Sequence, residues 1–334
     1  MRSIMSDSTI KCNLCGHGCR LLDGQYGICR VRMRDKGKIV SLVYGRVIAE
    51  NIDPIEKKPL FHVRPGSFTL SIATLGCNFR CSFCQNSTIS QVEKGVDIRS
   101  FGSLQSPEKL VDKAIATGCS SMSYTYVEPT VFFEFAFDCC TVAWGAGLDN
   151  IFVSNGFMSK QVIQKLSPVL TAINIDLKSF SDHFYRKVCG GRLQPVLDSI
   201  RLFKEASVWV EVTTLLIPGL NDSEDELRKT ARFLVGLDVD IPWHITAFSP
   251  MYRLSHLSPT PSAALVAAYN IGKEQGLHHV YSGNRPGLDS ENSYCPSCGE
   301  TIIFRNGFQL RKNRLKGGHC PVCGAAVAGI WSRE

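Results

Sequence analysis

Cys77-Asn78-Phe79-Arg80-Cys81-Ser82-Phe83-Cys84 is the stretch that decides how this chain is read. It sets three thiols on one short loop, directly after the apolar, strand-like run Thr69–Leu75. Thiolates are the usual ligands of iron–sulfur clusters, and a cubane cluster holds four irons. Three cysteines therefore leave one iron without a protein ligand, open to a chelating small molecule. A zinc loop would need a fourth ligand, and the nearest upstream histidine is His62.

Outward from this loop, apolar runs alternate with helical patterns. Strand-like runs follow at Ser121–Tyr126, Asn150–Val153, Ala172–Leu177, Val208–Leu216, Trp243–Phe248 and His278–Tyr281. Ser106-Pro107-Glu108 reads as a helix start, as does Thr260-Pro261. Ser223 and Glu226 form a capping-box pattern, and Gly276 is placed to end a helix. Such alternation predicts parallel strands with crossover helices, in an open sheet or a barrel. In a barrel the chemistry gathers at the C-terminal ends of the strands. Polar residues stand there in succession: Cys77, Glu128, Ser154-Asn155, then Asp176 and Lys178, with Thr213-Thr214 and His244 inside the next two runs.

Composition is that of an ordinary globular protein, with 44% apolar and 20% charged residues among 334 and a formal charge of +7. Arg30, Arg32, Arg34, Lys36 and Lys38 alternate with other residues and read as a solvated hairpin face rather than a nucleic-acid stripe. No apolar run is long enough to span a bilayer, and cysteines occupy the place of a signal-peptide core. A cytoplasmic, non-membrane protein is expected.

Fifteen cysteines are many, and eleven fall into three tight sets. In a reducing compartment such sets bind metal. Cys295-x2-Cys298 and Cys320-x2-Cys323, separated by 21 residues, have the spacing of a structural zinc ribbon. Cys12, Cys15, Cys19 and Cys29 make a second four-thiolate set, with His17 inside it. Zinc and an accessory iron–sulfur cluster both suit it, zinc being the first choice. Three regions follow: a Cys-rich metal-binding segment (1–66), a β/α region (67–290) and a zinc-ribbon-like tail (291–334).

An open iron can chelate the amine and carboxylate of S-adenosylmethionine, and one electron from the cluster then breaks a C–S bond to give a 5′-deoxyadenosyl radical. Phe83 could pack against the adenine. The run Cys77 to Asn86 resembles the signature of the radical S-adenosylmethionine (radical SAM) superfamily, in particular the activating enzymes of pyruvate formate-lyase type. The resemblance spans nearly all of residues 67–285 and implies a partial (β/α)6 TIM-like barrel. It implies a [4Fe–4S] cluster on Cys77, Cys81 and Cys84, and S-adenosylmethionine held by Tyr126, Glu128, Ser154, Asn155, Asp176, Lys178 and His244. It also implies a one-electron donor such as flavodoxin or ferredoxin. Val153 stands where formate-lyase activators carry a cation-binding Asp, so that site is not carried over.

Whole-chain order, with Asp53-Pro54-Ile55-Glu56-Lys57-Lys58-Pro59-Leu60 and Val280-Tyr281-Ser282-Gly283-Asn284, is similar to the AmmeMemoRadiSam system radical enzymes. The implied target is a glycine of a glycyl-radical enzyme, another protein residue, or a small molecule. His244 and Cys189 are the candidate catalytic residues, Cys189 as a redox or radical relay. Lys57 and Lys58 read as a solvated pair, while the resemblance of their segment suggests a substrate or partner face. The rival of another class is a non-catalytic zinc or iron–sulfur protein that binds RNA.

Overall fold

In the central strands, residues that share one face are polar and those on the other are apolar. Asn174, Asp176, Glu211, Thr213, His244 and Tyr281 stand side by side across neighbouring strands. Ile173, Ile175, Val210, Val212, Trp243 and Val280 occupy the alternate positions and are buried. Side chains alternate faces along a strand, so the apolar set packs under helices and the polar set lines an interior. That pattern builds a barrel with a wet lumen rather than an apolar sandwich.

The structure is a computed structural model describing residues 8–285 and 289–332. The first seven residues of the expected N-terminal segment lie outside the described residues. The main sheet runs β1 (Ala49–Pro54), β2 (Phe68–Ala73), β3 (Ser121–Tyr124), β4 (Asp149–Ser154), β5 (Ala172–Asp176), β6 (Trp209–Leu216), β7 (Trp243–Ala247) and β8 (Val280–Gly283). These eight pair in sequence order. The seven from β2 onward are parallel, and β1 closes one edge antiparallel to β2. Crossovers are made by α1 (Pro107–Ala116), α2 (Phe133–Gly145), α3 (Lys160–Leu166), α4 (Gln194–Glu205), α5 (Glu224–Val235) and α6 (Ser262–Glu274). The fold is thus mixed α/β, a partial barrel of six β/α units with a seventh parallel strand after the last helix.

Helix starts follow the sequence with two differences. Ser106 caps α1, accepting from Lys109 N at 3.3 Å, and Gly276 is left-handed just beyond α6. Ser223 caps α5, but Glu226 does not reach back to complete the box. Its carboxylate instead takes the Ser179 hydroxyl and Phe180 N, holding the loop after β5. Thr260 does not cap α6, because its hydroxyl donates to Leu216 O at 2.5 Å.

The basic hairpin Arg32–Asp35/Lys38–Ser41 forms, but its face is not wholly solvated. Arg32 and Arg34 are buried, and Arg32 makes a two-pronged ion pair with Glu134 of α2, both contacts 2.6 Å. Likewise Lys58 is not solvated: it is 1% exposed and ion-paired with Asp53 at 2.6 Å. Arg32 meets a partner 102 residues away, whereas Lys58 pairs with the nearby Asp53 and is enclosed only when the barrel forms.

The tail, β9 (Ser293–Tyr294), β10 (Thr301–Asn306) and β11 (Gln309–Asn313), closes the barrel at the end opposite the Cys77 loop. Ile330 N donates to His62 O and Arg64 N to Ile330 O, each 2.7 Å. Arg305 donates to Phe61 O at 2.7 Å and to Ser293 Oγ at 2.8 Å. His62 is fully enclosed: Nδ1 donates to Ala328 O at 2.7 Å, so Nε2 accepts from Tyr281 OH at 2.6 Å. Burial pushes His62 down to about 3 from an ordinary 6.5. Between those values the unfolded chain binds the extra proton, so stability is complete above pH 6.5 and lost as pH falls towards 3. The unfolding free energy should fall by up to about 1.4 kcal/mol per pH unit across that window through this residue. Denaturant titrations of wild type and His62→Gln at several pH values check it; an unchanged slope in the variant would refute it.

Among the described residues no helix is long and apolar enough to cross a membrane.

Candidate active site

The Cys77 loop leaves the end of β2 and is held from both sides. Arg80 N donates to Cys189 O at 2.7 Å and Ser82 N to Val188 O at 3.0 Å. Cys189 therefore sits in a turn locked to the cysteine loop, not in a free one. Gly191 permits the contact, since a Cβ there would stand 2.3 Å from the Phe79 ring. Phe79 N points at Cys77 Sγ, 3.4 Å, and Cys84 Sγ lies 3.1 Å from Ser90 Oγ.

The three thiols are close enough to act on one another. Burial, then Glu128 and Cys81, push the Cys77 thiol well above its ordinary range. The neighbouring Cys189 thiol raises Cys81 well above its ordinary range, and burial adds to it. Burial also raises Cys84. Buried thiols held neutral by desolvation become thiolates when a cationic metal centre supplies the compensating charge. The loop thus has the chemistry to take a metal cluster.

Around it the strand ends deliver the expected residues in different ways. Asn155 Nδ2 lies 3.9 Å from Cys77 Sγ and donates to Asn78 Oδ1 at 2.7 Å. Lys178 reaches Asp176 at 3.0 Å and stands 5.6 Å from the Phe83 ring centre. Burial opposes the Lys178 charge, but Asp176 and Cys81 hold its ammonium well above the usual range. Asp176 stays partly exposed, and beside it in register the buried Thr213 hydroxyl has no partner. An orphan hydroxyl on a polar lumen wall is what a ligand-binding surface presents.

Glu128 does not face the lumen as a free carboxylate. It accepts from Thr130 N at 3.1 Å, Thr130 Oγ1 at 2.5 Å, Ser154 Oγ at 2.9 Å and Asn155 N at 2.8 Å. Burial raises it, and these donors pull it back. Glu128 and Ser154 hence fix the turn that aims Asn155. Phe83 is buried against Phe184, centroids 6.1 Å apart.

Tyr126, in a left-handed conformation, points its hydroxyl at Asp53, which also pairs with Lys57 at 2.8 Å and Lys58 at 2.6 Å. Lys58 lies 4.6 Å from the Tyr126 ring, and burial brings its ammonium down to about 8. This lumen cluster was hidden from sequence reasoning, because Tyr126 and Asp53 are 73 residues apart.

His244 lies deeper than the strand ends. Its Nε2 donates to Glu211 at 2.6 Å, and its ring stacks on Tyr281, centroids 5.1 Å apart. Glu211 also accepts from Phe61 N, His62 N and Trp209 Nε1 at 2.9–3.0 Å. The structure brings His244 together with the barrel floor, not with Cys77. Glu211 gave no signal beyond being a lone acid in an apolar run.

The two remaining cysteine sets differ. Cys295, Cys298, Cys320 and Cys323 have sulfurs all within 4.8 Å of one another, fit to hold one metal ion. Cys12, Cys15, Cys19 and Cys29 line one pocket beneath the Cys77 loop. His17 lines the same pocket, and its Nε2 donates to Asn78 O at 2.8 Å.

The family described as the radical SAM superfamily matches residues 71–234. Protein MJ0808 of Methanocaldococcus jannaschii is 40% identical over 327 residues, covering 97% of this chain and 96% of its own. A second protein of that organism, MJ1632, described as a candidate glycyl-radical enzyme activating enzyme, is 29% identical over 186 residues, 54% of this chain and 67% of its own. The crystal structure of Streptococcus suis SuiB bound to precursor peptide SuiA superposes with a TM-score of 0.51 at 12% identity. That match covers 69% of this chain and 51% of SuiB, and is a likeness of fold alone.

Proposed function

Because the chain belongs to the radical SAM superfamily, we propose that Cys77, Cys81 and Cys84 hold a [4Fe–4S] cluster and that the lumen above them binds S-adenosylmethionine. When bound, the cluster supplies one electron that cleaves S-adenosylmethionine to methionine and a hydrogen-abstracting 5′-deoxyadenosyl radical. The observation that carries this reading is three thiols on one loop at the end of the first parallel strand, Cys81 buried and Cys77 and Cys84 half-buried, with Asn155, Asp176 and Lys178 around them. Asp176 offers a carboxylate to ribose hydroxyls. Lys178 offers an ammonium to the methionine carboxylate. Glu128 and Ser154 are positioning residues that hold the Asn155 turn.

In this reading residues 67–290 form the catalytic unit, and 1–66 and 291–334 are metal-bearing appendages. A flavodoxin or ferredoxin is the electron donor, in a reducing cytoplasm. The substrate reading that whole-chain order favours is the AmmeMemoRadiSam group. Its target is a protein residue, a glycyl-radical enzyme's glycine among the options, or a small molecule. Anaerobic reconstitution, reduction and assay for 5′-deoxyadenosine test the proposal. No product above background with cluster content verified would sink it, and would favour the non-catalytic metal protein instead.

We further assign zinc to Cys295, Cys298, Cys320 and Cys323, whose four thiolates complete a tetrahedron and leave no open position. A tail this short draws folding energy from its metal. Chelation should therefore raise hydrogen exchange at Phe61–Arg64 as well as in the tail, because those residues bond to Ile330 and Arg305. Unchanged protection after measured metal loss would refute the folding role.

A further inference from the structure

Cys12, Cys15, Cys19 and Cys29 share their pocket with the apolar side chains of Leu14 and Val131, around a small cavity of about 20 Å³. The C-terminal tetrad provides an internal standard for a single ion. There Cys295 and Cys323 sulfurs stand 3.6 Å apart and those of Cys298 and Cys320 3.7 Å. Four sulfurs each ~2.3 Å from one zinc are about 3.8 Å apart. The N-terminal sulfurs surround their pocket without closing to that spacing: among the described residues, the C-terminal tetrad is the set whose ligand atoms all fall within 4.8 Å. An iron–sulfur cluster distributes its thiolates over separate irons, so its ligands enclose a wider space. Four thiolates leave no open position, which suits electron storage and not substrate chelation.

The position of the pocket matters as much as its size. His17, between Cys15 and Cys19, donates to the carbonyl of Asn78, which follows Cys77. Arg80 Nη2 donates to Ile28 O, beside Cys29, at 2.7 Å. At Gly76, which precedes Cys77, an added Cβ would stand 2.5 Å from Val31 and 3.0 Å from the Cys29 carbonyl. The two cysteine sets thus touch through residues adjacent to the thiols themselves.

We propose that Cys12, Cys15, Cys19 and Cys29 hold a second iron–sulfur cluster that relays single electrons to the Cys77 site, along a path through His17 and Asn78. The relay rests on the radical SAM reading given above; the metal identity does not. The balance is one electron and no atoms. A reduced flavodoxin- or ferredoxin-class donor loses one electron, the N-terminal cluster is reduced and reoxidised in turn, and no proton or bond is exchanged.

The full-length variant Cys77→Ala/Cys81→Ala/Cys84→Ala isolates the site. After anaerobic reconstitution with iron, sulfide and zinc all offered, it should retain iron and acid-labile sulfide and give an iron–sulfur EPR signal on reduction. Zinc without sulfide in the N-terminal set overturns the assignment. Cys12→Ser/Cys15→Ser should lower flavodoxin-driven S-adenosylmethionine cleavage by about tenfold or more. Cleavage driven by dithionite, a small reductant able to reach the other site directly, should stay within about twofold of wild type. Should that variant not fold, His17→Ala keeps all four thiols. It should keep full iron content and still slow the flavodoxin-driven reaction selectively. Equal slowing with both reductants, or none, overturns the relay. Wild type that cleaves nothing with either reductant refutes the radical reading instead, and leaves the iron and sulfide measurement standing.

Discussion

Cys81→Ala should reduce S-adenosylmethionine cleavage by more than about 100-fold, since losing even an outer partner of a metal site costs 10–100-fold and a ligand costs more. Cys81 is the best placed of the three for this test. It is buried, it adjoins Lys178, and its loop is clamped by the backbone of Val188 and Cys189. Two thiolates would remain, too few to retain a four-iron cluster in reducing buffer. Iron content and 5′-deoxyadenosine yield, measured together after anaerobic reconstitution, give the answer. Cys189→Ala is the informative partner, because its thiol acts on Cys81 without standing in the three-cysteine motif. It should keep its iron. If Cys81→Ala retained both cluster and cleavage while Cys189→Ala lost them, the ligand set proposed here would be wrong.

Glu211→Ala should destabilise the barrel by several kcal/mol, since each buried donor it strands costs about 1–3 kcal/mol. Glu211 is fully buried on β6 and receives four donors: Phe61 N, His62 N, Trp209 Nε1 and His244 Nε2. Its loss would leave two backbone N–H groups and two ring N–H groups unpaired in the core, each with its own desolvation penalty. Glu211→Gln should also destabilise, because its amide nitrogen would face the N–H of Phe61 or those of His62 and Trp209, which can only donate. His244→Phe removes one of these donors and should be milder than either. Urea midpoints of the three variants test the order. A Glu211→Ala midpoint equal to wild type would remove the floor network as a source of stability. The same variant bears on catalysis: if His244 acted on substrate, His244→Phe would lose cleavage far beyond what its modest loss of stability accounts for.

Much of the architecture was legible along the chain. Alternating runs and crossover helices announced parallel strands, in an open sheet or a barrel, and the family resemblance implied the partial barrel. Local signals worked where one element carried them, as at Ser106 before α1 and Gly276 after α6. They failed where a side chain had a better partner elsewhere. Glu226 gave up its capping box to hold the loop after β5, and Thr260 gave up its cap to bond β6. Arg32 and Lys58 looked solvated because Glu134 is 102 residues away from one, and the lumen that hides the other exists only after closure.

The sequence by itself determined the cysteine motif, the β/α succession and the four-thiol spacing of the tail. These depend on residues close together in the chain, where covalent geometry fixes who can meet whom. Only the tertiary structure decided which polar residues face the Cys77 site and which serve the floor. Glu128, Asp176 and His244 all lie on or just beyond strands of one sheet, yet the depth and facing of each side chain separate a turn-holding carboxylate, a half-exposed one paired with Lys178 and a buried ring. It also decided that Cys12–Cys29 packs against the Cys77 loop, a contact made by His17 and Gly76 across some sixty residues. Ligand type is written in composition, but the distance between thiols, which separates one ion from a cluster, is set by packing.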